Sequence, residues 1–372
     1  MKILLNRWNG LLFAGCLALA FAPVLTHGAV ATNAGYVEVN LVSDIASNAP
    51  HTDARLVNPW GLVAGGEGIW LNDNGTGLTT AYSPAGVGVR FAIHIPGVTG
   101  GFGPPTGLVF NDTMGFVITN GLRHAPSTFL MATEEGTIVA WSHGISGSNA
   151  VIVANNVIPA SVYKGLAIAR DTNGSPQIYA ANFHSGMVDV FDTHFQYVTS
   201  FTDPNLPLLF APFNVRNIHG RVFVTFAKQK LPDKHDDEAG PGNGFVDVFD
   251  SDGTLLRNFA AQGPLNSPWG MAMAPNHFGK FSHALLVGNF GDGKILAYDL
   301  LTGKLLGNLT TAAGDDVVIP GLWGLSFERS ELFERECNFE AQRLYFTAGI
   351  NGEADGLFGY IRPVSPLFPP IH

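Results

Sequence analysis

One short phrase recurs six times along the 372-residue chain, and it limits the possible folds more than any other feature. It reads Pro59-Trp60-Gly61-Leu62, Pro105-Thr106-Gly107-Leu108, Tyr163-Lys164-Gly165-Leu166, Pro212-Phe213-Asn214-Val215, Pro268-Trp269-Gly270-Met271 and Leu322-Trp323-Gly324-Leu325. Its third position falls at 61, 107, 165, 214, 270 and 324, so the intervals are 46, 58, 49, 56 and 54 residues. That period suits one four-stranded blade with a generous loop. A glycine after the aromatic lets innermost strands approach closely near an axis. The apolar residue after it packs against the next blade.

Each phrase is followed by a second apolar run: Ile69-Trp70-Leu71, Phe116-Val117-Ile118, Gln177-Ile178-Tyr179, Val222-Phe223-Val224, Leu285-Leu286-Val287 and Leu344-Tyr345-Phe346. A third strand comes next, as in Val188-Asp189-Val190-Phe191-Asp192, Val246-Asp247-Val248-Phe249-Asp250 and Ile295-Leu296-Ala297-Tyr298-Asp299. Tight turns such as Ser251-Asp252-Gly253 and Thr302-Gly303-Lys304 lead into a fourth. The expected fold is all-β: a six-bladed β-propeller of four-stranded antiparallel blades. The last unit runs out at Phe358-Gly359-Tyr360-Ile361 without a fourth strand, and Tyr36-Val37-Glu38-Val39-Asn40-Leu41 precedes the first phrase. The N-terminal strand is therefore expected to complete the last blade and leave no open edge. A seventh blade would need a hidden repeat, and the 58-residue interval is too short for two.

Composition agrees. Gly numbers 45 and Pro 23, while charged residues make up only 13%, a poor basis for long amphipathic helices. Residues 1–31 read as a secretory signal peptide: Lys2 and Arg7, an apolar run from Leu11 to Leu25, and Ala29-Val30-Ala31 before a cut after Ala31. Residues 32–372 then form a single propeller domain, expected to be secreted or periplasmic. Phe13-Ala14-Gly15-Cys16 offers a competing lipoprotein-type cut. Without Cys16 only Cys337 remains, so no internal disulfide is available. No later stretch approaches the roughly 18 apolar residues of a membrane span. Net charge is −10, or −12 once Lys2 and Arg7 leave, with no basic run. Nucleic acid and anionic membranes are poor partners for such a chain, and a monomer is expected.

The repeats resemble those of NHL-type six-bladed propellers. More closely, the chain resembles a family of exported bacterial proteins of unknown function associated with the PEP-CTERM sorting system. The resemblance rests on Asn58-Pro59-Trp60-Gly61-Leu62, Thr133-Glu134-Glu135-Gly136-Thr137-Ile138, Tyr163-Lys164-Gly165-Leu166-Ala167, Ala211-Pro212-Phe213-Asn214-Val215, Ala227-Lys228-Gln229, Gly288-Asn289-Phe290-Gly291-Asp292-Gly293 and Leu344-Tyr345-Phe346-Thr347-Ala348-Gly349. It spans roughly residues 36 to 362. The C-terminal Ser365-Pro366-Leu367-Phe368-Pro369-Pro370-Ile371-His372 departs from it, having no Pro-Glu-Pro sorting motif, apolar anchor or basic tail. The resemblance implies a freely soluble propeller and no particular activity.

Propeller ligands usually bind at the mouth of the central channel, and two rings of residues could sit there. The first follows each second strand: Asp73, Asn120, Asn182, Phe226, Asn289 and Ala348. The carboxylate and amide oxygens of Asp73, Asn120, Asn182 and Asn289 suit a hard cation such as Ca²⁺. The alternative is that they hydrogen-bond their own turns. The second ring precedes the repeat glycine: Trp60, Thr106, Lys164, Phe213, Trp269 and Trp323. Its aromatics could stack on sugars and Lys164 could hold an anion; the alternative is a core wedged between blades. Glu134 and Glu135 could supply an acid or base, or serve a turn. The insertion Lys228 to Asn243 carries Asp233, His235, Asp236, Asp237 and Glu238, which could chelate a metal or form a solvated loop. No zinc spacing, nucleophile elbow, phosphate loop or dinucleotide fingerprint stands in a fitting context.

Three functions follow. The first is an exported module of the cell envelope or extracellular space that binds a glycan, a small molecule or a protein. The second is a Ca²⁺-dependent hydrolase or lyase acting at the channel mouth. The third is a carbohydrate-binding protein using the tryptophan ring. The fourth repeat is irregular, with Asn214 in place of Gly, Phe226 in place of Asp or Asn, and the acidic insertion. Functional asymmetry is expected there.

Overall fold

Among the described residues there are five four-stranded sheets and one four-stranded sheet with an added edge strand, one per repeat. The computed structural model describes residues 35–65, 68–157, 160–327 and 342–364. The signal peptide at 1–31, Cys337 and the C-terminal segment 365–372 lie outside the described residues. In blades one and three to five, four consecutive strands pair in chain order, beginning with Pro59–Gly65, Tyr163–Arg170, Phe210–Ile218 and Pro268–Met273. Blade six is built from Leu322–Phe327, Leu344–Ile350 and Asp355–Pro363. Tyr36–Ser43 pairs antiparallel with Asp355–Pro363, from Tyr36 opposite Pro363 to Ser43 opposite Leu357, so the N-terminal strand closes the last blade as expected. A two-residue strand, His51–Thr52, adds a parallel edge. No helix among the described residues is long and apolar enough to cross a membrane.

Blade two corrects one expectation. The run Phe116-Val117-Ile118 is not its second strand. Pro105–Phe110 pairs instead with Phe129–Thr133, followed by Thr137–Trp141 and Val151–Asn155. Val117–Asn120 and Arg123–Pro126 form a separate hairpin. That hairpin accounts for the 58-residue interval, and a local alternation of apolar residues cannot reveal which of two candidate runs joins the sheet.

The core lies between blades. Six apolar clusters each join two neighbouring sheets, such as Val188, Val190, Val215 and Val224 between blades three and four. Closure at the axis leaves no room for a side chain. A Cβ on Gly61 would stand 2.5 Å from the Thr106 carbonyl oxygen, one on Gly270 2.6 Å from that of Trp323, and one on Gly324 2.6 Å from that of Trp60. Gly107 and Gly165 meet the next inner strand in the same way. The fourth repeat lacks the glycine, and its Asn214 makes the junction by hydrogen bonding. Its Nδ2 donates to the Trp269 carbonyl at 2.8 Å, and its Oδ1 accepts from Val215 N–H at 2.8 Å. The irregular residue is thus a different solution to the same closure.

Burial also charges the fold with a pH dependence. Asp247 is fully buried in blade four and accepts a hydrogen bond from Asn258 Nδ2 at 3.0 Å. Burial, with Asp203 nearby, pushes its carboxyl up to about 7. The folded state therefore keeps a proton that the unfolded state releases above the usual carboxylate range. The stability this group contributes is fully present below its ordinary value of 3.8 and is lost as pH rises through about 7. Asp247→Asn should flatten this slope. Wild type should lose about 2–3 kcal/mol between pH 5 and pH 8 through this group. Urea unfolding at both pH values checks it; equal slopes in the two proteins would refute the assignment.

Candidate functional site

The inner strands start at one end of the channel, and there the tryptophan ring converges. Trp60, Phe213, Trp269 and Trp323 are all at most 4% exposed. They pack in one cluster with Phe183 and Phe290. Trp60 stacks on Trp323 at 3.6 Å between centroids, Phe290 stacks on Trp323 at 3.9 Å, and Trp269 meets both indoles edge-on at 6.0 and 5.7 Å. The faces that a sugar would need are spent on one another, so this ring is an aromatic plug in the channel. Thr106 turns away, donating to the Tyr163 carbonyl at 2.7 Å.

Lys164 departs from that pattern. Its side chain is only 2% exposed, yet it is charged. Its Nζ donates to Glu134 Oε1, lies 3.8 Å from Asp236 Oδ1, and stands 5.0 Å from the centre of the Trp60 ring. Trp269 Nε1 holds its carbonyl at 3.1 Å. Around this ammonium, residues from several blades gather. Glu134 comes from the turn after Phe129–Thr133 in blade two, and its Oε2 accepts from Asn74 Nδ2 at 2.8 Å. His235 and Asp236 come from the insertion of blade four, with Nδ1 to Oδ1 at 2.9 Å. His235 Nδ1 is 4.0 Å from Glu134 Oε1. Glu353, in the turn of blade six, accepts from Asn58 Nδ2 at 2.8 Å, and Asn58 Oδ1 accepts from Trp323 Nε1 at 3.0 Å. Asn58 and Glu353 both hold left-handed backbone, at φ 47° and 70°, a strain that needs surrounding structure to maintain it.

The insertion is a built element. Gln229 Nε2 donates to the Phe183 carbonyl at 2.5 Å, Glu238 N–H to the Lys228 carbonyl at 2.7 Å, and Gly240 N–H to Asn266 Oδ1 at 2.7 Å. Ser267 Oγ donates to Asp237. These bonds hold His235 and Asp236 over Lys164. Glu135 parts from its neighbour and accepts from Val98 N–H at 2.8 Å.

The cluster separates its acids. Burial pushes Glu134 up, but Lys164, Asn74 and His235 outweigh it and hold the carboxyl below its ordinary value. The hydrogen bond to Asp236 raises His235 against its burial, and the same bond lowers Asp236. Burial raises both Glu353 and Asp237. Such divergence among neighbouring groups is what binding and catalytic sites produce.

Glu134, His235 and Asp236 place ligand atoms within 4.8 Å of one another. A nitrogen with two carboxylates would suit a borderline transition metal better than Ca²⁺. Lys164 decides the fit: its ammonium already neutralises Glu134 Oε1, the oxygen that faces His235, so a divalent cation does not fit beside it. The Asp and Asn ring does not fit Ca²⁺ either. Asp73 is fully buried in blade one with Oδ2 bonded to Thr80 Oγ1 at 2.7 Å, and burial raises its carboxyl well above the usual range towards the neutral acid. The Asn182 side-chain oxygen accepts from the N–H groups of Val162 and Ser185, both at 3.3 Å. Asn289 Oδ1 accepts from Asn266 N–H at 3.2 Å. Asn120 is exposed in the extra hairpin, bonded to the Ile145 carbonyl at 3.1 Å. Thr133 takes its place in blade two.

Of the sequence candidates, the structure brings Lys164, Glu134, His235 and Asp236 to this cluster and lays the aromatics beneath it. Asn58, Asn74 and Glu353 carried no sequence signal, because the turns that present them are ordinary Asn- and Gly-containing turns. The signal for His235 and Asp236 was the insertion itself.

No family model matches the chain. Two relatives from Acanthamoeba polyphaga mimivirus are similar over most of their length. Uncharacterized protein R648 is 31% identical over 329 residues, covering 86% of this chain and 78% of R648. Uncharacterized protein L690 is 32% identical over 334 residues, covering 86% and 83%. Among solved structures, a structural genomics protein of unknown function from Bacteroides thetaiotaomicron is similar with a TM-score of 0.52, over 88% of this chain and 76% of that one. Its sequence identity is 10%, so that likeness speaks for the fold alone.

Proposed function

We propose a function on one premise: the chain belongs to the family of the mimivirus proteins R648 and L690, and its activity has to be argued from its own site. It is a binding propeller that takes a polar ligand at the plugged end of the channel, against Asp236, His235 and Glu353. The observation that carries this reading is Lys164. A buried Lys164–Glu134 pair over an aromatic floor contributes little stability that two well-packed apolar side chains could not. Held under an ordered insertion, it faces polar groups that stay partly open: the Asp236 carboxylate side chain is 65% exposed and the His235 imidazole side chain 41%. Accessible acceptors outnumber donors, which favours a ligand bearing hydroxyls or an amine, of sugar or peptide size. Export by the leader at 1–31, the narrower kinship with PEP-CTERM-associated proteins and a monomeric state belong to this proposal.

Tryptophan fluorescence reads the site, since Trp60 and Trp323 lie beneath it. Titration with glucosamine oligomers should give saturable binding, weakened about tenfold by Asp236→Asn, the usual scale for one charged hydrogen bond. N-acetylglucosamine oligomers test whether the amine is needed. No binding of either series at millimolar concentration, or full affinity in Asp236→Asn, would sink the reading. The hydrolase or lyase alternative meets the same protein: saturable Ca²⁺, Mn²⁺ or Zn²⁺ binding by the chelator-treated chain, lost in His235→Gln, would replace our reading with a metal-dependent one.

A further inference from the structure

The acidic insertion of blade four has a fixed base and a loosely held tip. At the base, Lys228 Nζ donates to Glu238 Oε1 at 2.7 Å, Gly240 N–H to Asn266 Oδ1 at 2.7 Å, and Ser267 Oγ to Asp237. The tip, residues 230–236, closes on itself. Lys230 N–H donates to the Asp236 carbonyl at 2.8 Å, and Lys234 N–H to the Lys230 carbonyl at 3.0 Å. No hydrogen bond among the described residues ties this tip to another blade. Two ionic contacts reach across instead, Asp236 Oδ1 to Lys164 Nζ at 3.8 Å and His235 Nδ1 to Glu134 Oε1 at 4.0 Å. Contacts of that length between partly exposed groups are weak and screened by solvent. The pair beneath them, Lys164 with Glu134, is charged, and keeping it from water opposes closure. A weak hold over a buried charged pair leaves closure finely balanced, so one unit of charge at the contact can tip it.

We propose that the tip is a lid over Lys164, closed when His235 is protonated and open when it is neutral. The lid regulates the site proposed above and rests on that reading for the ligand, which enters and leaves beneath it. The facing charges give the sign. Lys164 of blade three, Glu134 of blade two and Asp236 on the tip act on His235 directly. Lys230 of the tip and Glu353 of blade six act on it through Asp236, and Asp237 lies at the base. Opposite the tip, one ammonium stands with the two carboxylates of Glu134 and Glu353. An imidazolium is drawn to that surface. A neutral imidazole leaves Asp236 facing both carboxylates with Lys164 alone to hold it. The hydrogen bond to Asp236 raises the imidazole above its ordinary 6.5, so His235 changes charge close to neutral pH.

The test reads whether Lys164 is covered. The whole protein is acetylated briefly with N-hydroxysuccinimide acetate at pH 6 and at pH 8. Peptide mass mapping then gives the modification of Lys164 relative to that of exposed Lys304. The ratio cancels the pH dependence common to amines. In wild type it should rise about tenfold between the two pH values, the scale of one pK unit of linkage. His235→Gln, neutral at both, should give the high ratio at both. His235→Lys, charged at both, should give the low one. Asp237 and Glu353 are still present in these variants, so a ratio that keeps rising with pH in either would move the switch off His235 and overturn the proposal. A wild-type ratio that does not change with pH would overturn the lid itself. The labelling uses no ligand, so its result stands whether or not glucosamine oligomers bind, and the two readings fail separately.

Discussion

Gly61→Ala should destabilise the protein by about 3–5 kcal/mol, although the new side chain is a single methyl group. The ordinary cost of changing a glycine in a strand has the opposite sign, since alanine restricts the unfolded chain and is worth roughly 0.4–1 kcal/mol of stability where space allows. At Gly61 there is no space. The added carbon would stand 2.5 Å from the Thr106 carbonyl oxygen and 2.7 Å from the Leu108 nitrogen. Both are backbone atoms of the next blade's inner strand, so relief requires moving a blade rather than a rotamer. Gly144→Ala provides the control, because a Cβ there meets nothing within 4 Å. Urea unfolding should show the two substitutions with opposite signs. A loss under 1 kcal/mol at Gly61 would mean that the ring yields easily, and that the repeated glycine has some other cause.

The second large effect concerns the buried ion pair. Lys164→Met keeps the length and apolar stem of the side chain and removes the charge. Glu134 is then left with 13% of its side chain exposed and no ammonium, and the expected loss is about 3–5 kcal/mol. Lys164→Met combined with Glu134→Gln should recover most of it, because both members of the buried pair are then neutral and Asn74 still has an oxygen to bond. Equilibrium unfolding of both singles and the double gives the coupling energy. A double variant as unstable as Lys164→Met alone would show that the lysine acts by packing on Trp60 and not through its charge. If the double variant recovers stability and loses glucosamine binding, the pair serves the ligand rather than the fold.

The blade count, the closure by the N-terminal strand and the aromatic plug's membership were legible because a propeller repeats its interfaces. A residue that faces the next blade must recur once per blade, so Trp60, Trp269 and Trp323 announce themselves by spacing. Blade two was less legible. Two apolar runs compete there for one place in a sheet, Phe116-Val117-Ile118 and Phe129–Thr133, and only pairing with Pro105–Phe110 selects between them. The same limit explains the Asp and Asn ring. Asp73, Asn182 and Asn289 do recur at equivalent positions, yet recurrence reports a shared turn as readily as a shared ligand.

From the sequence alone came six blades, an aromatic at four of the six inner strands and a glycine at five, and an irregular fourth repeat with an acidic insertion. The tertiary structure alone decided what happens once. It put Glu134, Lys164, His235, Asp236 and Glu353 together from separate blades. The physical reason is that blade contacts repeat with the chain's own period, whereas a binding site breaks the symmetry of the ring. Its members lie tens to hundreds of residues apart, at no common interval, and only closure of the ring brings them within a hydrogen bond of one another.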